Sequence, residues 1–232
     1  MLRSLLIFFG VMLGTPVQAM EGVVLLHGLC RSSASMQPMA AALARAGFVV
    51  ENIDYPSRSE TIGPLSEQVI GAALRSNKLA DCARIHFVTH SMGGILVRSY
   101  FSRHHEARLG RVVMLAPPNQ GSEVVDHLRG WRIFKKINGP AGSELGTDSD
   151  SVPRKLGAVP FDLGVIAGDR SINWINSLMI PGRDDGKVSV QSTRVDGMRE
   201  HRVVHVTHPF IMRKRKVMDA TICFLKTASF SP

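Results

Sequence analysis

The chain has 232 residues, 44% hydrophobic and 20% charged, a balance that excludes a disordered tail, a collagen-like repeat and a multi-span membrane protein. Its 28 Lys and Arg against 19 Asp and Glu leave a net charge of +9, compatible with an anionic surface but not diagnostic of one. The length fits a single α/β domain, and no internal repeat is present.

Met1-Leu2-Arg3, the apolar stretch Leu5 to Gly14 and the small-residue pattern Val17-Gln18-Ala19 form an export leader with cleavage expected after Ala19. The apolar stretch is short against the ~30 Å of a bilayer core, so periplasmic or extracellular export is expected rather than anchoring. The remainder, 20–232, then reads as one domain.

Gly22 to His27 is a continuous apolar run, the mark of a strand buried on both faces of a parallel sheet. Met36, Met39, Ala40, Leu43, Ala44 and Gly47 follow at helical spacing, then Phe48 to Ile53 as a second strand. A helix is expected from about Pro64 to Leu79, a strand over Arg84 to Thr89, and another helix from Gly93 to about His104. Arg111 to Ala116, Phe161 to Ala167 and His201 to Val206 complete the strands, with a final helix to about Lys226. This alternation predicts a doubly wound α/β fold with a mostly parallel sheet. Residues 117–160 break the pattern: rich in Gly, Pro, Ser and Asp, with one helical fragment near Gly121 to Ile137, they are too long for a simple connection. They are expected to form an inserted lid or substrate-binding cap.

Cys30, Cys82 and Cys223 are an odd set for an exported chain, so at least one thiol stays outside any internal bridge. One bridge between Cys82 and Cys223, or three small buried thiols, are the two readings.

Thr89-His90-Ser91-Met92-Gly93-Gly94 lies where the third strand turns into its helix, and Ser91 is the candidate nucleophile. A serine at the apex of so tight a turn needs small neighbours, which Gly93 and Gly94 supply. The helix beginning there aims its first N–H groups at the site.

These residues resemble the α/β-hydrolase superfamily, in particular bacterial lipases and esterases with a His-Ser-Met-Gly-Gly elbow, and the resemblance covers most of the chain after the leader. Thr89 departs from it, standing where the family usually has Gly or Ala, and its β-branch is expected to crowd the turn. The resemblance implies the order serine, acid, histidine. Within Pro181-Gly182-Arg183-Asp184-Asp185-Gly186-Lys187-Val188, the Asp-Gly-x-Val pattern matches Asp185 as the acid, with Asp184 as competitor. Of His201, His205 and His208, only His208 falls just past the strand, at the carboxyl end where open α/β sheets carry their sites. The His-Gly turn Leu26-His27-Gly28-Leu29 resembles the oxyanion loop of lipases, which implies backbone N–H donors at Leu29 and Met92, with His27 structural. Leu115 to Ser122, leaving the fourth strand towards the same sheet end, resembles lipase sequence there, which implies residues that line the acyl pocket rather than react.

The expectation is an exported serine esterase or lipase acting on a small-molecule ester or lipid, with no metal, no cofactor and no nucleic acid. A thioesterase or acyltransferase using the same residues, or a non-catalytic lipid-binding protein on this fold, are the alternatives. Arg213-Lys214-Arg215-Lys216 reads as a solvated helix face, with weak contact to an anionic membrane surface as its alternative.

Overall fold

The computed structural model describes residues 19–231; all but the last residue of the expected leader lies outside them. The elements in chain order are β1 (Glu21–Leu26), α1 (Gln37–Arg45), β2 (Val49–Ile53), α2 (Ile62–Leu74), β3 (Arg84–His90), α3 (Met92–Phe101) and β4 (Leu109–Leu115). There follow α4 (Glu123–Leu128), α5 (Arg132–Ser143), α6 (Val152–Lys155), β5 (Leu163–Gly168), α7 (Trp174–Ser177), β6 (Glu200–Val204) and α8 (Arg215–Thr227). The strands form one six-stranded sheet in the order β2-β1-β3-β4-β5-β6, every neighbouring pair parallel.

The sheet is buried on both faces because its strands are apolar at consecutive positions. Successive side chains point to opposite faces, so Val24 and Leu26 of β1 join the core under α2 and α3, while Val23 and Leu25 join the core under α1 and α8. Val112 and Met114 against Val113 and Leu115 repeat the division in β4. Met36 and Met39 are packing residues of the second core. Winding reverses between β1 and β3, and the carboxyl ends of these two strands flank the crevice where such sheets bind ligands. The two turns singled out from sequence, after His27 and at Ser91, both lie there.

The 117–160 excursion is present, but its helical fragment is broken. α4 ends at Leu128, and α5 is kinked where Gly139 takes φ 68 ahead of Pro140. Its flanks belong to the body of the domain: Ala141 and Leu145 are buried in the first core, and Ser122 N–H donates to Leu145 O at 2.9 Å. The buried Arg98 of α3 reaches into it as well, donating to the carbonyls of Asn119 at 2.9 Å, Pro153 at 3.0 Å and Gly157 at 2.7 Å. Burial of this guanidinium lowers its pKa to about 10, yet the acceptors around it satisfy most of its donors. The middle of the excursion packs Phe134 against the first core but leaves Trp131, Ile133 and Ile137 exposed.

Candidate active site

Ser91 sits alone between β3 and α3 with φ 52 and ψ −123, a conformation that costs a non-glycine residue energy unless packing enforces it. Here packing does. A Cβ on Gly93 would lie 2.8 Å from Leu26 O and 3.0 Å from His27 O, and one on Gly28 would lie 3.1 Å from Ser91 Cβ. The serine turn and the His-Gly turn are therefore pressed together by glycines. Ser91 N–H donates to Leu115 O at 2.9 Å, tying the turn to β4. Thr89 is buried at the end of β3, and the crowding expected of it is taken up across the turn, because a Cβ on Gly94 would stand 3.2 Å from Thr89 Oγ1.

Asp185 and His208, 23 positions apart, meet at 2.8 Å between Oδ2 and Nδ1, both buried. A second bond, His208 N–H to Asp185 O at 3.0 Å, fixes the backbones as well as the side chains. The other carboxylate oxygen accepts Lys187 N–H at 3.1 Å and Val188 N–H at 3.0 Å, which explains the Asp-Gly-x-Val pattern. The carboxylate folds back over its own turn, and Gly186 supplies the required φ of 95. The convergence depends equally on Gly168 at the end of β5, where a Cβ would fall 2.9 Å from Asp185 Cβ and 2.5 Å from Val206 O.

Asp184 faces elsewhere, accepting Gly186 N–H at 2.7 Å and the Ser177 hydroxyl at 2.8 Å. His205 is exposed and pairs with Asp169 at 3.0 Å. His201 lies in β6 against Thr193 Oγ1 at 2.8 Å, its pKa lowered to about 4 by burial and by the charge of Arg194. His27 is buried and stacked on Tyr55 at 4.0 Å, and burial lowers its pKa. The Tyr55 hydroxyl donates to His27 O, so this histidine anchors its turn rather than facing the cavity. The cysteines are unbridged, which excludes the Cys82–Cys223 pairing, and Cys30 is exposed rather than buried. Cys82 approaches Gly22 of β1, whereas Cys223 lies on α8 beside Thr227.

Two backbone donors lie beside Ser91. Among the described residues, neither Leu29 N–H nor Met92 N–H has an acceptor; Met92 is the first residue of α3, where an intrahelical partner is geometrically excluded. Ser91, His208 and Leu29 line one cavity of about 360 Å³, walled by apolar side chains including Val124, Val125, Phe134 and Leu145, with Arg31 and Lys187 also on its lining. No hydrogen bond joins Ser91 to His208 among the described residues, and neither the serine hydroxyl nor His208 Nε2 is engaged elsewhere. A wider hollow of about 680 Å³ lies at the opposite, amino edge of the sheet, lined by Arg84, His105 and Arg111, remote from all of these groups.

His90 is a residue whose role the sequence pattern left unstated. It is buried directly under the site, its ring 4.7 Å from that of His208, and Nε2 donates to His208 O at 3.1 Å. Burial, reinforced by the charges of His208 and Arg31, holds it neutral with a pKa well below the ordinary value. Its second nitrogen has no partner among the described residues and lies 2.8 Å from where a Cβ on Gly28 would stand. His90 thus steadies the loop that carries His208. Only the His-Ser pair in the motif hinted at it.

No curated protein matches the sequence. Solved structures share the fold at low identity. The mature lipase BlEst2 of Bacillus licheniformis superimposes with TM-score 0.71 at 20% identity, covering 93% of this chain and 95% of that one. Phospholipase PlaB of Legionella pneumophila gives 0.70 at 17%, covering 92% of this chain but 60% of its own length. A metagenomic carboxyl esterase gives 0.67 at 17%, with 88% and 68% covered. In sequence, residues 22–151 match the palmitoyl protein thioesterase family, a span that runs from β1 through the serine turn into the excursion. This chain accordingly belongs to the palmitoyl protein thioesterase family and is a hydrolase.

Proposed function

We propose that this protein hydrolyses carboxylic esters of fatty acids through a Ser91-His208-Asp185 triad and an acyl-enzyme intermediate. The observation that carries the reading is the convergence of three separate loops at one apolar cavity: the strained serine turn, the Asp185–His208 pair at 2.8 Å, and two N–H groups without acceptors. Ser91 Oγ attacks the ester carbonyl carbon while its proton passes to His208 Nε2, and the former carbonyl oxygen, now negative, is held by Leu29 and Met92 N–H. Each such donor contributes about 3 kcal/mol at the transition state. Asp185 keeps the Nδ1 proton in place and stabilises the imidazolium. Collapse breaks the bond to the leaving group, which takes the proton from His208. A water molecule, deprotonated by the same histidine, attacks the acyl-serine, and collapse restores Ser91 and releases the acid. The Ser91–His208 hydrogen bond would form when substrate fills the cavity, as commonly happens on substrate binding.

A thioester substrate is the second reading, and the family match favours it. The same residues serve both, because a thiolate leaves with less help from the acid than an alkoxide. Nitrophenyl esters from butyrate to palmitate, beside acyl thioesters of the same chains, test both readings. With Val124, Val125 and Phe134 lining the cavity, kcat/KM is expected to climb by up to about fourfold per added methylene until the wall is reached. The ratio between ester types at fixed chain length assigns the leaving atom. A folded protein that turns over neither type at any length would overturn the proposal.

Export with removal of 1–19 belongs to the same reading. The first strand begins at Glu21, so cleavage after Ala19 would remove no described strand or helix. N-terminal sequencing of the protein recovered outside the inner membrane should begin at Met20; a start at Met1 would overturn the cleavage.

A further inference from the structure

Of ten exposed large apolar side chains among the described residues, seven fall into two short segments: Trp131, Ile133 and Ile137 in the first, Ile172, Trp174, Ile175 and Leu178 in the second. They include both tryptophans of the sequence, 62% and 71% exposed. Tryptophan is a large side chain that folding normally covers, so leaving both in water calls for a partner. The two segments follow β4 and β5 in an all-parallel sheet, so both emerge at the carboxyl edge, where the site lies. The first lines the cavity through Phe134 and Ile137, and the second is bonded to the loop that carries Asp185, Lys187 and Val188. There α7 is fastened by Asn176 Nδ2–H to Gly186 O at 2.9 Å and Ser177 Oγ–H to Asp184 Oδ1 at 2.8 Å.

The charges of these segments are all of one sign. Residues 129–143 contain Arg129, Arg132, Lys135 and Lys136 and no carboxylate, and residues 170–183 contain Arg170 and Arg183 and again none. Arg129 and Arg183 are paired with Asp148 and Asp169, which leaves Arg132, Lys135, Lys136 and Arg170 without a carboxylate partner among the described residues. Exposed indole and aliphatic groups among unpaired cations match an anionic bilayer surface: the rings lodge at headgroup depth and the cations meet lipid phosphates. A protein partner would have to complement two separate apolar segments across an open cavity, whereas a membrane meets both at once and leaves the cavity facing its lipids. We infer that the Trp131 and Trp174 segments form one docking surface that seats the cavity mouth on an anionic bilayer. This deepens the proposed function by assigning membrane lipids as the source of its acyl groups, but the docking itself requires no catalysis.

The test separates the two claims by using Ser91→Ala protein, which cannot consume its target. Vesicles of phosphatidylcholine alone and of phosphatidylcholine mixed with phosphatidylglycerol are titrated while tryptophan emission and co-sedimentation are followed. Because both tryptophans lie on the surface, emission should shift to the blue on the mixed vesicles. Trp131→Ser with Ile133→Ser, and separately Trp174→Ser with Leu178→Ser, should each weaken partitioning by about tenfold or more. Lys135→Ala with Lys136→Ala should weaken it by about thirtyfold on anionic vesicles alone. The same surface changes in the Ser91 background should leave turnover of a short soluble ester unaltered. Failure to bind, binding without an emission shift, or loss only when the Arg213 to Lys216 run is neutralised would each overturn the docking surface. So would self-association of the free protein that the tryptophan variants abolish, since the patch would then be a contact between copies. None of these outcomes bears on soluble ester turnover.

Discussion

Ser91→Ala is expected to lower kcat on any ester substrate by about a millionfold while the protein remains folded. The hydroxyl accepts and donates no hydrogen bond within the described residues, so its removal leaves no buried group unsatisfied. The strained turn survives because it is enforced by Gly28, Gly93 and the bond from the residue 91 N–H to Leu115 O, none of which involves the hydroxyl. His208→Ala should cost nearly as much, and the double variant little more than either, since nucleophile and base act as one unit. What survives would come from the Leu29 and Met92 donors and the apolar cavity. Pre-steady-state kinetics with a nitrophenyl ester reads this directly: a burst of nitrophenol in the wild type and none in either variant. A burst retained by Ser91→Ala would remove Ser91 from the role of nucleophile, and one retained by His208→Ala would remove His208 from the role of base.

Asp185→Asn should lower kcat by about ten-thousandfold with little change in KM. An amide can present a donor where the carboxylate accepts, which turns His208 toward the wrong tautomer and removes the charge facing the imidazolium. Asp184→Asn is the informative control. The Asp184 oxygen only accepts, from Gly186 N–H and the Ser177 hydroxyl, and an asparagine oxygen accepts the same pair. Its effect on kcat should stay within a few-fold. The order reversed, with Asp184→Asn the more damaging, would assign the acid to the neighbouring residue and contradict the 2.8 Å pairing.

Part of the candidate site was legible because its residues follow local rules. Ser91 needs small neighbours at a strand-to-helix turn, and Asp185 needs Gly186 and the Val188 N–H to fold back over itself. Each of these signals spans a few residues and survives in a one-dimensional reading. β6 ends at Val204 rather than Val206, so His205 as well as His208 lies past it, and the pairing with Asp185 rather than the strand boundary separates them. His90 and Gly168 left no comparable mark. His90 matters because its ring meets a carbonyl 118 positions away, and Gly168 because two loops cross above it. The helical fragment over Gly121 to Ile137 was misjudged for a related reason. Its periodicity continues past Leu128, but the chain must turn there to bring Ala141 and Leu145 into the core, and the helix breaks.

By itself the sequence determined the strands, most of the longer helices, the parallel and doubly covered nature of the sheet, and Ser91 as the candidate nucleophile, while the resemblance to lipases and esterases pointed to the acid and base candidates. The strands, helices and serine turn follow from continuous apolar runs, stripes at helical spacing and turn chemistry, all local properties of the chain. Only the tertiary structure decided which aspartate faces the histidine, that the three thiols stay apart, and that Arg98 anchors the excursion. It also decided that both tryptophans stand in water at the carboxyl edge of the sheet. Those outcomes rest on distances between residues far apart in the chain. Burial and charge pairing are properties of the packed molecule, which no stretch of sequence expresses alone.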